Sequence, residues 1–195
     1  MYKLLYLILL INISQFLSAQ EAPEGLFINS KAPNFKAKDQ NGNPVELKKL
    51  LEKGKVVLIF YRGQWSQYCT MYLTKLQDSL QSITDKKATL VAVTPELPEN
   101  ISKTVEKTKA TFPILYDEDL KIMKAYGVAY EVSAEVLARY HNSGIKLDEN
   151  NGKKNGNFLP ITACYIIDKE ANITYRFFQQ DYKKRASVNE IVTNL

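Results

Sequence analysis

Cysteine and histidine are nearly absent from this chain of 195 residues, which holds two of the first and one of the second. Two cysteines cannot build the disulfide framework of a small secreted domain, and with one histidine they leave a zinc site short of ligands. Glycine (8) and proline (7) are too sparse for a collagen-like or low-complexity chain. No glycine-rich phosphate loop or ligand cluster occurs, so no metal, flavin or nucleotide cofactor is expected. Charge of one sign is also scarce, with 26 Lys and Arg against 21 Asp and Glu. The basic residues lie in scattered short groups (Lys48-Lys49, Lys86-Lys87, Lys153-Lys154, Lys183-Lys184-Arg185). A nucleic-acid partner would need them on one face with aromatics between, so none is expected.

Long hydrophobic runs are missing too. The longest, Leu4 to Ile11, falls far below the roughly twenty residues that span a bilayer. Lys3 precedes it and Leu17-Ser18-Ala19 follows, the order of a secretory signal peptide. Residues 1–19 are therefore read as a signal cleaved near Ala19–Gln20, with an uncleaved anchor as the other reading. The expectation is an exported protein, periplasmic or secreted, with no stable membrane association after cleavage.

What is present suits one core. Hydrophobic residues make up 45% of the chain, with 12 Tyr and 8 Phe, so residues 20–195 read as a single domain. Segments 35–39 and 45–47 flank Gln40-Asn41-Gly42-Asn43 as a hairpin, and a short helix over 47–52 ends at Gly54. Lys55 to Tyr61 is an apolar, β-branched run suited to a strand buried on both faces. Tyr68, Tyr72, Leu73, Leu76, Leu80 and Ile83 predict one amphipathic helix from Ser66 or Gln67 onward. A strand over 89–93, a helix over 98–110, a strand over 112–115 and a helix over 120–126 capped at Gly127 come next, then a helix over 132–140. Residues 142–158, with five Asn and few apolar side chains, read as an insertion loop. Strands over 161–167 and 173–178 and a helix over 187–195 close the chain. The order predicts an α/β domain, a mixed sheet with helices on both faces.

The candidate site is Cys69, in the first turn of a helix that follows a buried strand. Unpaired N–H groups there favour an anion and raise the thiolate fraction. Arg62, in the preceding loop, adds positive potential, and Ser66 stands at the N-cap, three residues before Cys69. Such a thiolate can attack a peroxide oxygen or a disulfide sulfur. Spacing alone leaves a small packed cysteine equally open. His141 reads as a surface residue.

Phe60-Tyr61-Arg62-Gly63-x-Trp65-x-x-Tyr68-Cys69 resembles the Phe-Tyr-Arg-Gly-x-Trp-Cys-Pro-Tyr-Cys signature of thioredoxin-fold, peroxiredoxin-like proteins of the alkyl hydroperoxide reductase C / thiol-specific antioxidant family. Segments 31–35 and 39–42, 112–117, 125–128, 159–168 and Asp181-Tyr182-x-x-Arg185 are similar to that family as well. The resemblance implies a thioredoxin-like fold and a peroxidase acting on hydrogen peroxide or small organic hydroperoxides. It places the attacking thiol at Cys69, with Ser66 and Arg62 beside it and an external thiol or thioredoxin-like reductant. The chain departs from the pattern twice. Ser66 replaces the first cysteine, and Thr162 stands where relatives carry a cis-proline and where a peroxiredoxin arginine aligns. Arg62, Arg139 or Arg176 could supply the missing cation, Arg62 being nearest in sequence. Cys164, mid-strand, is the one internal candidate to resolve an oxidised Cys69; Thr74 fills the place of a same-helix resolving cysteine. The alternatives are an exported thiol–disulfide oxidoreductase and a catalytically degenerate binding domain.

Overall fold

The computed structural model describes residues 22–195; the signal peptide read at 1–19 lies outside the described residues. A short hairpin comes first, β1 (Lys36–Lys38) against β2 (Pro44–Glu46), and leads into α1 (Leu47–Lys53). Then follow β3 (Lys55–Phe60), α2 (Gln67–Asp78), α3 (Leu80–Thr84), β4 (Ala88–Thr94), α4 (Pro98–Thr108) and β5 (Ile114–Tyr116). A 3-10 turn at Glu118–Leu120 precedes α5 (Lys121–Ala125), and Gly127 after it takes φ +61°, which glycine adopts without strain. The remainder is β6 (Ala129–Glu131), α6 (Ala134–Asn142), α7 (Leu147–Asn155), β7 (Phe158–Pro160), β8 (Thr162–Ile167), β9 (Ile173–Gln179) and α8 (Val188–Asn194).

The central sheet runs β5-β4-β3-β8-β9. Strands β3, β4 and β5 are parallel, while β8 is antiparallel to β3 and β9 to β8. Because successive side chains in a strand point to opposite faces, β3 feeds two cores. Val56, Leu58 and Phe60 pack with Leu47, Leu51, Ile122 and Met123 of α1 and α5. Val57, Ile59 and Tyr61 pack with Leu73, Leu76, Ile101 and Ile191 of α2, α4 and α8. This is the expected α/β, thioredoxin-like arrangement.

Two expectations need correction. The helix expected to run from Ser66 past Ile83 breaks at Ser79 into α2 and α3. The polar stretch 142–158 is not a loop but carries α7, kinked at Gly152, and β7, which pairs with β6. Two of its five asparagines point inward. Asn151 Nδ2 donates to the carbonyls of Gly156 and Phe158, and Asn155 Nδ2 to those of Pro95 and Asp117. Both are buried amide tethers, which composition mistakes for solvated surface.

Candidate functional site

β3 ends at Phe60, and residues 61–66 turn the chain into α2. The turn needs Gly63, where a Cβ would sit 2.5 Å from both Glu96 Oε1 and Trp65 Nε1. Gln64 N–H donates to Glu96 Oε2 (2.8 Å), which ties this loop to the end of β4. Burial pushes the Glu96 carboxyl up to about 8, against the Gln64 hydrogen bond and the charges of Lys107 and Lys103.

Ser66 is the N-cap of α2 but does not cap it with its side chain. Its backbone carbonyl instead accepts from the N–H groups of Cys69 (2.9 Å) and Thr70 (3.0 Å). Its hydroxyl accepts from Arg62 Nη2 (3.0 Å) and is hydrogen-bonded to the Cys69 thiol. Cys69 is fully buried under α2, and Arg185 Nη2 lies 3.4 Å from its sulfur. Burial raises the thiol. The Arg185 charge, the Ser66 hydrogen bond, and the backbone and charge of Arg62 outweigh that, and Cys69 ends below the ordinary thiol value. Ser66, Arg62 and Cys69 are thus brought together as the sequence suggests.

The nearest cation is a residue that the sequence pattern does not single out. Arg185 forks, with Nη1 donating to Thr162 Oγ1 (2.6 Å) while Nη2 reaches Cys69. Thr162 is therefore the anchor of the thiol's arginine, and no cis peptide occurs among the described residues. The other proposed cations lie elsewhere. Arg139 is 68% exposed beside Glu135, and Arg176 stacks on Phe27 and Phe178 and donates to the Glu24 carbonyl. The signal for Arg185 was its place in the family-like segment 181–185. Its separation of 116 residues from Cys69 hid the contact.

Arg62 is buried, with its guanidinium 3.9 Å from the Tyr182 ring centroid and 5.2 Å from that of Trp65, and Nη1 donates to Tyr140 Oη (3.0 Å). Among the described residues no carboxylate forms an ion pair with Arg62 or Arg185. Cys164 lies in the same core layer as Cys69, mid-strand in β8 opposite Ile59 and Phe177. Both cysteines are free, and burial, aided by Glu190, pushes the Cys164 thiol far up. The Thr74 hydroxyl donates to the Thr70 carbonyl, and His141 is exposed at the end of α6. A groove of about 340 Å³ lined by Tyr68, Met71, Tyr72, Lys75, Lys183 and Arg185 runs along α2 and meets the site at Arg185. No cluster of three or more metal-ligating side chains occurs among the described residues. The arrangement can hold a thiolate and offer guanidinium and hydroxyl hydrogen bonds beside it.

The model of the AhpC/TSA family matches residues 28–176. Peroxiredoxin Bcp of Bacillus subtilis is 29% identical over 148 residues, 75% of this chain and 81% of that protein. The chloroplastic peroxiredoxin Q of Sedum lineare is 35% identical over 111 residues, 56% of this chain and 59% of that protein. Among solved structures, peroxidoxin BcpB of Mycobacterium tuberculosis superimposes with a TM-score of 0.68 at 18% identity, covering 86% of this chain and 94% of that one. The thioredoxin domain of a thiol-disulfide oxidoreductase from Bacteroides vulgatus gives 0.55 at 17% identity, covering 81% and 93%. At these identities the two structures speak for the fold.

Proposed function

The chain belongs to the AhpC/TSA family, and on that footing we propose that it is a thiol peroxidase whose attacking group is Cys69. The observation that carries this reading is the Arg185 guanidinium 3.4 Å from the Cys69 sulfur, with no carboxylate among the described residues paired to it. A cation so placed holds the thiol as a thiolate and stays free to hydrogen-bond a peroxide oxygen. The thiolate sulfur attacks the terminal oxygen of hydrogen peroxide or a small hydroperoxide. The S–O bond forms as the O–O bond breaks, and the leaving oxygen takes a proton and departs as water or alcohol. Cys69 is left as a sulfenic acid. Ser66, held by Arg62, orients the peroxide. Two equivalents of thiol from outside, from a small molecule or a thioredoxin-like protein, return Cys69 to its reduced form with release of water and a disulfide. Cys164 is poorly suited to that work, because burial with Glu190 nearby pushes its thiol far up, whereas the equally buried Cys69 has Arg185 at 3.4 Å to hold it ionised. The order of charge, apolar run and small residue in the first nineteen positions supports export as part of the same reading.

The test treats the reduced protein with stoichiometric hydrogen peroxide and follows Cys69 oxidation by intact mass and sulfenic-acid trapping, beside Cys69→Ser. Oxidation far faster than that of a free thiol is expected. A rate equal to a free thiol's removes the peroxidase reading and leaves disulfide exchange or plain binding.

A further inference from the structure

Arg62 is a buried cation that has no carboxylate partner among the described residues. Three aromatic residues from three parts of the chain surround it: Trp65 from its own loop, Tyr182 from the β9–α8 connection, and Tyr140 from α6. Tyr140 alone among them takes a hydrogen bond from the guanidinium, and its ring packs against Trp65 at 5.2 Å between centroids. Helix α6 belongs to the segment between β6 and β7, which builds its own small core from Val132, Leu147 and Leu159, with Trp65 and Tyr140 at its border. A carboxylate at the place of Tyr140 would bind the guanidinium harder but cancel its charge toward a neighbouring anion. A phenol oxygen accepts the hydrogen bond and cancels nothing.

We propose that Tyr140 is a positioning residue, fixing Arg62 against Ser66 with a neutral oxygen so that the guanidinium's charge stays available to Cys69. The α6–α7 segment is then part of the thiol's electrostatic apparatus and not a surface decoration. The inference rests on the proposed function only in so far as Cys69 works as a thiolate. The groups that share the field are few. Arg185, Ser66 and Tyr61 face Cys69, and Tyr130 of β6 faces Arg62 together with Tyr182. Glu135, Arg139 and His141, the other ionisable residues on α6, are exposed.

The experiment titrates Cys69 by thiolate ultraviolet absorbance, using Cys69→Ser as the blank. Tyr140→Phe keeps the ring on Trp65 and removes only the oxygen. Its titration midpoint should rise by about 0.5 in pH, lowering the thiolate fraction about threefold below both midpoints, with the thermal midpoint lowered by a few degrees at most for the one lost hydrogen bond. Tyr140→Glu should raise it by about 1 in pH, a tenfold loss. Placed in an Arg62→Met background, Tyr140→Phe should move nothing, because the route runs through Arg62. A rise of less than about 0.2 in the Tyr140→Phe midpoint, an equal rise in the Arg62→Met background, or a lowered midpoint in Tyr140→Glu overturns the proposal. No peroxide enters these measurements, so a failed peroxidase test and a failed Tyr140 test remain distinguishable.

Discussion

Arg185 forks, with Nη1 on Thr162 and the Lys184 carbonyl and Nη2 on the Cys69 sulfur. A lysine ammonium lacks that rigid fork, so Arg185→Lys should recover only part of what Arg185→Met loses. The methionine variant should raise the Cys69 titration midpoint by about 1 in pH and so cut the thiolate fraction about tenfold below it. Peroxide oxidation, read by stopped-flow, should slow at least as much. Cys164→Ser tests the other thiol. Oxidation of Cys69 should proceed at the parent rate, with no bridged species by intact mass. Stability should fall by about 1–3 kcal/mol in urea, because a hydroxyl replaces a thiol in an apolar layer. At this scale the sequence revealed the thiol and its hydroxyl neighbour, since Ser66, Cys69 and Arg62 are close along the chain. It hid Arg185 and Tyr140, whose roles exist only after strands β8 and β9 and helix α6 have been packed.

Helix α7 owes its place to two amides. Removing the Asn155 side chain orphans the Pro95 carbonyl, in the interior at the end of β4, and leaves the Asp117 carbonyl with the Leu120 N–H alone. Asn155→Ala should therefore cost about 1–3 kcal/mol by urea unfolding. A surface asparagine would cost close to nothing. The strands and most helices were legible because their apolar signals are strong, as in the unbroken run of Lys55–Phe60 and the helical spacing of Tyr72, Leu73 and Leu76. Residues 142–158 were not, because an asparagine that donates to buried carbonyls has the same letter as one in water. The break at Ser79 was invisible for a related reason: Leu80 and Ile83 continue the apolar spacing of α2 although the axis changes there.

At the scale of the whole molecule, two buried carboxyls give stability a component that falls with rising pH. Burial raises Glu96 from 4.5 to about 8 and Asp117 from 3.8 to about 6, the latter against hydrogen bonds from the Ile122 and Met123 N–H groups. Between the unfolded and folded values the native state holds a proton that the unfolded chain has lost. The contribution of these two groups is then full below about pH 4 and falls as pH rises toward 8, by up to about 1.4 kcal/mol per pH unit for each proton. Glu96→Gln should flatten the upper part of that slope in urea titrations at several pH values, leaving the part below pH 6 that belongs to Asp117. The overall architecture was readable from the continuous apolar run of β3 and the family-like segments; these interior acids were not, since burial has no letter. The distance of Arg185 along the chain has one more consequence. Synthesis runs from the N-terminus, so Cys69 emerges well before the guanidinium that lies 116 residues further on. Until that last stretch has docked on Thr162, the cysteine lacks its nearest cation, and the growing polypeptide is spared a fully armed nucleophile.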